Sequence, residues 1–337
     1  MKRILFLVLI TPVLLSCEKL LFEEEIQTGD PYTNFDYLWD ECDEKYSFFK
    51  YKNINWDSVR QKYRPALYKD MSDDSLFRVM GAMLRELKDD HTNLISDLNI
   101  SYYGNYKTGQ DNFSWRIIVD HYLPDNYYTS GPFRHDFISD QTDSIGYIRL
   151  PAFTGGISNT NLDFMINRYQ NTKGLIIDIR ENGGGSISDI YRLLSRFVDS
   201  KTLIYYSKIK DGPGHTEFSS RQPVYIKPSE SSLYTGKIIL LADRGSYSAS
   251  SFTCLAARSL PNIIFMGDTT GGGLGIPNGG QLPNGWRYRF SITQTLDPDG
   301  NNYESGVPPE IPVLFNWNNL SKDEVLEKAI QEIKSSK

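Results

Sequence analysis

Cysteine and histidine are both scarce in this chain, with three cysteines and four histidines among 337 residues. Cys17 closes an apolar N-terminal run, which leaves Cys42 and Cys254 for the folded part. Two cysteines allow at most one disulfide and define neither a disulfide framework nor a metal site. We therefore expect two free, partly buried thiols.

Positive charge and long apolar segments are also in short supply. The formal net charge of −6 at pH 7 argues against nucleic acid as the main partner. Beyond the N-terminal run, no apolar segment is long enough to cross a membrane, and no internal repeat is present. The roughly 300 remaining residues allow one large domain or two modest ones.

The N-terminus predicts export and a lipid anchor. Positive charge at residues 1–3 precedes an apolar run that suits a signal peptide over residues 1–16. The run ends in LLSC, which resembles a bacterial lipobox and implies lipidation of Cys17; an ordinary signal peptide is the alternative. Residues 17–33 are predicted as an acidic tether, whose glutamates 23–25 are either simply solvated or a surface-export signal. The expected location is the outer membrane or periplasm, with cell-surface exposure left open.

Residues 34–95 are predicted as an N-terminal helical domain. Ser72 suits an N-cap, and apolar residues then recur at spacings of three and four from Leu76 to Leu87. Residues 96–142 are rich in Tyr, Asn, Asp and Gly and are predicted as short strands and loops, with a strand candidate at 115–119.

From residue 143 to 337, strands alternate with glycine-rich turns and helices. Apolar runs predict strands at 145–150, 174–179 and 237–242, and helices follow the latter two. Successive strand–turn–helix units indicate an α/β sheet. A capping box that begins at Ser321 predicts a final helix through about Ile333.

Two segments in this region could carry chemistry. DRGSYSASS (243–251) lies between an apolar strand and a predicted helix, where a serine hydroxyl would sit beside the N–H groups of the helix start. Serine is also a favoured N-cap residue, so this cluster alone does not establish a nucleophile. DIRENGGG (178–185) follows a buried strand and matches no phosphate-loop or dinucleotide pattern, so an oxyanion donor fits it better.

These segments resemble the tail-specific or C-terminal processing peptidase superfamily, peptidase family S41. The matching stretches are residues 178–185, the SYSAS run at 246–250, GDTTGG at 267–272 and GVPPEI at 306–311, which has Glu310 where aspartate is more common. The resemblance implies a crotonase- or ClpP-like strand–loop–helix core over residues 143–337. It also implies that Ser248 is the nucleophile and that the N–H groups of Gly184 and Ala249 form the oxyanion hole.

The sequence departs from the Ser–Lys branch of this superfamily. That branch has a general-base lysine just after the third motif, and here no lysine lies between Lys237 and Lys322. The branch similar to the tricorn core uses a histidine from the N-terminal helical part instead. LKDDHT (87–92) resembles its Leu-x-Asp-x-His-Thr segment and implies His91 as general base.

The third catalytic member is less well defined. The resemblance places a glutamate near the closing motif, which implies Glu304, one residue out of register, with Asp268 and Asp90 as rivals. Residues 96–142 lack a carboxylate-binding loop of the PDZ type, so a reduced PDZ domain and a new element both stay open.

Together these observations predict a serine peptidase that acts on peptides or unfolded proteins without a metal or cofactor. Ser248 would attack, His91 would transfer the proton, and an acyl-enzyme would form. Two alternatives remain: a catalytically silent peptide-binding lipoprotein on the same fold, and a crotonase-type hydratase or isomerase. The export signal argues against the latter, because acyl-CoA substrates are cytosolic.

Overall fold

The structure is a computed structural model that describes residues 29–138 and 144–335. Its helices are α1 (Pro31–Lys45), α2 (Phe49–Lys52), α3 (Trp56–Tyr63), α4 (Asp73–Arg85), α5 (Trp115–His121), α6 (Asn159–Tyr169), α7 (Ile187–Leu194), α8 (Ala249–Ala257) and α9 (Glu324–Lys334). Its strands are β1 (Asn93–Ile95), β2 (Ile100–Ser101), β3 (Tyr128–Ser130), β4 (Phe133–Phe137), β5 (Ile145–Arg149), β6 (Gly174–Asp178), β7 (Thr202–Ile209), β8 (Gln222–Ile226), β9 (Ile238–Ala242), β10 (Ile263–Gly267), β11 (Pro277–Gln281), β12 (Arg287–Ser291), β13 (Thr293–Leu296) and β14 (Ile311–Pro312).

A seven-stranded sheet in the order β14-β10-β9-β6-β5-β4-β3 forms the centre of the fold. Strands β5, β6, β9, β10 and β14 run parallel, as the alternation of strands and helices predicts. Alternate residues of β6 and β9 belong to two different apolar cores, because both faces of the sheet are covered. Helices α6, α7 and α8 pack on one face and helices α5 and α9 on the other. The predicted α/β core is therefore confirmed.

The stretch 115–119, predicted as a strand, is instead the start of helix α5. Its β-branched run favours a strand locally, but Ile118 and Tyr122, four residues apart, are both buried in the same core. Arg116 and Asp120 make an i,i+4 ion pair on the outer side, at 3.3 Å. Tertiary packing thus overrides the local propensity.

Strands β3 and β4 come from the stretch 96–142 and extend the central sheet at its edge. Register pairs Phe137 of β4 with Gly146 of β5. These strands are therefore part of the core sheet and not a separate module.

The N-terminal helices and residues from late in the chain share one apolar core. Helices α1 to α4 pack with Leu282, Tyr288 and Phe290, the latter two on strand β12. Strand β1 pairs with β12 in a four-stranded sheet ordered β11-β12-β1-β2. The helical part is thus anchored directly to the segment between the third and fourth peptidase-like motifs.

Three smaller sequence predictions can be compared directly with the structure. Cys42 and Cys254 are free thiols as expected, and both are fully buried. The final helix begins at Glu324 and its N-cap is Asp323, which accepts from Leu326 N at 2.9 Å, so the capping box from Ser321 is wrong by two residues. Asp323 is the N-cap in place of Ser321 because its carboxylate also pairs with buried Arg180.

Among the described residues, no helix is both long and apolar enough to cross a membrane.

Candidate active site

Ser248 lies at the N-cap position of α8, after the turn that follows β9. Its backbone has φ 54° and ψ −117°, a conformation that is rare for residues other than glycine and costs about 1–3 kcal/mol. The turn holds it there: Ser248 N donates to Gly272 O at 2.9 Å, and the buried hydroxyl of Ser246 donates to Ile179 O at 2.8 Å. The strain raises the half-buried Ser248 side chain toward the cleft at the end of the sheet.

The imidazole of His91 lies beside this hydroxyl. His91 follows the end of α4, past a left-handed residue at Lys88 with φ 47°, and directly precedes β1. Its Nε2 lies 2.9 Å from Ser248 Oγ, which is hydrogen-bond distance between a base and a nucleophile separated by 157 residues in sequence. The pairing of β1 with β12 fixes where this turn sits, so the contact is a product of tertiary structure.

The pKa of His91 lies below its ordinary value. Burial is the main cause, since only 7% of the residue is exposed and the charged form loses solvation. The positive charge of Arg289 lowers the pKa further, while the carboxylate of Asp89 opposes the shift. The resting imidazole is therefore neutral near pH 7, as a general base requires.

A buried cluster of two carboxylates and one ammonium lies behind His91. Asp89 accepts from the backbone N–H of His91 at 2.9 Å and from the Tyr46 hydroxyl at 3.0 Å. Lys52 Nζ lies 3.5 Å from Asp89 Oδ2 and 3.7 Å from Glu304 Oε1. The ammonium therefore bridges the two acids.

The two carboxylates of this cluster have pKa values shifted in opposite directions. Burial and the neighbouring Asp89 raise the pKa of Glu304 to about 8. The pKa of Asp89 is lowered despite its burial, because Lys52 and His91 stabilise its anion. Near pH 7 Asp89 carries the charge and Glu304 holds a proton.

Glu304 does not hydrogen-bond to His91. Its Oε2 accepts from Leu274 N instead, at 2.7 Å. The Nδ1 atom of His91 is buried and has no hydrogen-bond partner among the described residues. The ionised group that acts on the imidazole is Asp89, which the motif LKDDHT already contained but which sequence reasoning did not single out.

The two expected oxyanion donors lie side by side. A Cβ added to Gly184, which has φ +96°, would lie 2.8 Å from Ser248 Cβ and 2.9 Å from Ala249 N, so only glycine fits against the nucleophile. Ala249 N has no hydrogen-bond partner among the described residues, whereas Gly184 N donates to Asn182 Oδ1 at 2.9 Å. The Ala249 donor is free, and the Gly184 donor is engaged in this state.

The two rival carboxylates, Asp90 and Asp268, and the three histidines other than His91 have other partners or lie elsewhere. Asp90 accepts from the backbone N–H of Gly104, and Asp268 accepts from its neighbour Thr269 N at 2.6 Å. His135 is buried between the hydroxyls of Tyr169 and Ser130, and His215 pairs with Asp43 at 2.8 Å; His121 is exposed at the end of α5. Within the described parts of the chain, none of these makes a hydrogen bond with the Ser248 hydroxyl, whose partner is His91 Nε2.

A cleft of about 510 Å³ opens over the Ser248–His91 pair. Aromatic and aliphatic side chains line much of it, including Tyr106, Ile187 and Phe252, with Arg289 and Asp90 as its charged residues. A concave, largely apolar cleft with a few polar groups is the usual form of a ligand-binding site.

Arg180, to which the sequence analysis gave no role of its own, anchors the glycine loop. It is fully buried and pairs with Asp178 at 2.6 Å and Asp323 at 2.9 Å. The sequence feature that could have pointed to this role is the position of Arg180 two residues before the glycine loop, within a motif of alternating charge. Cys17 and the predicted signal peptide lie outside the described residues.

Comparisons with known proteins indicate the family of this chain. The model of peptidase family S41 matches residues 144–313, and that of the tricorn protease C1 domain matches residues 30–85. The carboxy-terminal processing protease CtpB of Bacillus subtilis is 25% identical over 178 residues, which are 51% of this chain and 35% of that protein. This chain thus spans about a third of the length of that relative.

Solved structures extend the match to most of the chain. A protein from Parabacteroides merdae, described as a peptidase, has a TM-score of 0.84 and 36% identity, over 91% of this chain and 97% of that one. The tricorn protease has a TM-score of 0.53 and 15% identity over 91% of this chain and 37% of its own, a likeness of fold alone. The family model covers half of the chain and the P. merdae protein nearly all of it, so the chain belongs to peptidase family S41.

Proposed function

We propose that this protein is an extracytoplasmic, lipid-anchored serine peptidase with Ser248 as nucleophile and His91 as general base. The observation that carries the proposal is the 2.9 Å contact between His91 Nε2 and Ser248 Oγ at the floor of a cleft. Membership of a peptidase family and relatives named as processing proteases support peptide-bond hydrolysis. The nisin-resistance protein of Lactococcus lactis and a tail-specific protease of Haemophilus influenzae support a location outside the cytoplasm.

The reaction follows from the geometry. His91 Nε2 accepts the Ser248 proton as Oγ attacks the scissile carbonyl, and the same proton then passes to the leaving amine. Asp89 accepts from the backbone N–H of His91 and stabilises the imidazolium by its charge, while Lys52 and the Tyr46 hydroxyl hold the Asp89 carboxylate in place. A water then hydrolyses the acyl-enzyme by the same base.

The oxyanion would be held by Ala249 N–H and Gly184 N–H. Ala249 N is free and lies at the start of α8, where the helix dipole adds positive potential. Gly184 N must exchange its bond to Asn182 for one to the oxyanion, or share it between the two. A neutral side-chain amide oxygen is a weaker acceptor than an oxyanion. Transfer of the Gly184 N–H hydrogen bond from Asn182 to the oxyanion is therefore favourable once negative charge develops on the substrate oxygen.

Labelling with a fluorophosphonate probe tests the proposal. Wild type should label on a peptide that contains Ser248, and Ser248→Ala should not label at all. His91→Ala should label at least about a hundredfold more slowly, the usual contribution of a general base. His121→Ala is the matched control, because this histidine is exposed and remote. An unlabelled, well-folded wild type would favour the silent peptide-binding protein instead.

A further inference from the structure

Arg289 faces the same cleft as the nucleophile and the base. It lies on β12, and the antiparallel register pairs it with Asn93, two residues after His91. Both Arg289 and His91 line the cleft over Ser248. Strand pairing, which positions the base, therefore also positions a cation beside the reacting groups.

The guanidinium of Arg289 uses only part of its hydrogen-bonding capacity within the described residues. Its Nε donates to Asn93 Oδ1 at 2.6 Å, which fixes the plane of the group. In residues 29–138 and 144–335, no carboxylate lies within ion-pair distance of Arg289. The side chain is exposed, so its two Nη atoms can receive a ligand from the cleft.

The acidic residue of the cleft does not compensate this charge. The Asp90 carboxylate accepts from the backbone N–H groups of Gly104 and Asn105, which direct it toward that loop. The rest of the lining is aromatic, aliphatic or glycine backbone, including Tyr102 and Ile276. An anion that enters the cleft therefore meets a fixed cation that no described carboxylate neutralises, and a hydrogen bond between two charged groups is stronger than a neutral one.

The Arg289 charge also reaches the catalytic base. It is the largest of the neighbouring positive charges that lower the pKa of the His91 imidazole. Because Arg289 and Ser248 line the same cleft, the guanidinium can contact a substrate whose scissile bond lies at Ser248.

We propose that Arg289 determines specificity by binding a substrate carboxylate next to the scissile bond. The carboxylate belongs either to the C-terminus of the peptide or to an Asp or Glu side chain. The planar guanidinium, held through Nε, offers its two Nη groups to a carboxylate in a way that a lysine would not. This inference rests on the proposed peptidase function and specifies its substrate class.

Affinity selection on a variant that cannot turn over tests the inference. Immobilised Ser248→Ala protein is incubated with N-acetylated hexapeptide libraries, one with free C-termini and one amidated, and bound peptides are counted by mass spectrometry. We expect enrichment of the free-acid library, or of Asp and Glu over Asn and Gln in the amidated library. The first pattern identifies the C-terminus as the ligand and the second identifies the side chain.

The Ser248→Ala/Arg289→Gln double variant should lose this enrichment by at least about tenfold, the scale of one hydrogen bond to a charged group. Ser248→Ala/Arg287→Gln is the matched control, since Arg287 is exposed on the same strand but does not line the cleft. Ser248→Ala/Arg289→Lys should recover part of the enrichment.

The inference would be overturned if Ser248→Ala retained neutral and carboxylate-bearing peptides equally. It would also be overturned if the Ser248→Ala/Arg289→Gln variant kept the full preference for carboxylate-bearing peptides. Wild type that hydrolyses peptides without any carboxylate preference would overturn it too while leaving the peptidase function standing. If the Ser248→Ala variant selected carboxylates but wild type neither reacted with the fluorophosphonate probe nor hydrolysed peptides, only the peptidase function would be refuted.

Discussion

Ser248 and His91 come from regions that share no local structure, and the 2.9 Å contact between them is the basis for proposing one proton-transfer unit. We expect Ser248→Ala and His91→Ala each to remove most peptidase activity, by roughly a thousandfold or more, and the double variant to lose little beyond either single one. Turnover of a peptide pool by the purified variants, matched for thermal unfolding, measures this. Losses that multiply in the double variant would show that the two residues act independently.

The acidity of the His91 imidazole sets the pH range of the proposed reaction. Because burial and Arg289 lower the pKa of His91, kcat/KM should fall on the acid side with an apparent pKa below 6.5. Asp89→Asn removes the charge that opposes this shift, so the acid limb should move to still lower pH and kcat should fall about tenfold or more. Asp97→Asn removes the same charge from an exposed position and is the control. A rate that keeps climbing steeply above pH 9 would contradict a histidine base.

Glu304 makes a prediction about stability. Its pKa is about 8 in the folded protein against an ordinary value near 4.5, so between these values the folded state binds more protons than the unfolded state. The stability contributed by Glu304 is therefore complete below about pH 4.5 and is lost as the pH rises through about 8. Relative to wild type, Glu304→Gln should gain free energy of unfolding across this window, by roughly 1 kcal/mol or more, since one pKa unit corresponds to about 1.4 kcal/mol.

Denaturant melts of both proteins at several pH values measure this difference. Glu230→Gln, at an exposed site, controls for the change in net charge. A difference between wild type and Glu304→Gln that stays flat from pH 5 to 9 would show that Glu304 is not protonated in the fold.

At the scale of elements, one buried ion cluster ties the catalytic loop to the last helix. Arg180 joins Asp178 at the end of β6 to Asp323 at the N-cap of α9. The Asp178 carboxylate also accepts from the Tyr147 hydroxyl on β5, at 2.9 Å. The loop 181–185 therefore leaves the sheet from a rigid base, which positions Gly184 against Ser248.

Arg180→Met should destabilise the protein by about 3–5 kcal/mol, because it leaves buried Asp323 without its cation and leaves Asp178 with Arg149 alone, at 3.9 Å. Denaturant unfolding measures the loss, and Arg116→Met, whose side chain is 89% exposed, is the control. The double variant Arg180→Met/Asp323→Asn should recover part of the stability, since the remaining Asp178 carboxylate is balanced by Arg149. A double variant less stable than Arg180→Met would mean that the cluster stabilises by geometry and not by charge balance.

At the scale of the whole molecule, the N-terminal helices are bound to the C-terminal half through a shared apolar core and through β1–β12 pairing. This arrangement delivers His91 to Ser248 and Arg289 to the same cleft. The chain segments before residue 29 are attached to that N-terminal part, so an anchor at Cys17 would hold the enzyme at a membrane from its helical side.

The anchor itself is testable. Because Cys17 follows LLS after an apolar run, Cys17→Ala should move the protein from the membrane fraction to the soluble fraction or leave the signal peptide uncleaved. Membrane fractionation and mass spectrometry of the N-terminal peptide measure this, with Cys42→Ala as the control at a buried cysteine. A wild type found in the soluble fraction without lipid would remove the anchor from the proposal.

Sequence alone determined the α/β core, its parallel strands and the segment that carries Ser248, because these depend on short-range patterns. The patterns that predicted them are apolar runs of strand length, glycine turns and the order of the motifs. These patterns are local, so the secondary structure that they predict is retained in the fold. Sequence failed where packing overrides propensity, as at α5, and where a side chain with two partners decides a boundary, as Asp323 does at α9.

Only the tertiary structure decided how the site is assembled. The approach of His91 to Ser248, the ionisation of Asp89 in preference to Glu304, and the open guanidinium of Arg289 each depend on residues more than 100 positions apart. Burial and neighbouring charge set those pKa values, and neither can be read from a linear pattern. Chain order specifies which groups are available, whereas strand pairing and burial specify which of them meet and which of them carry charge.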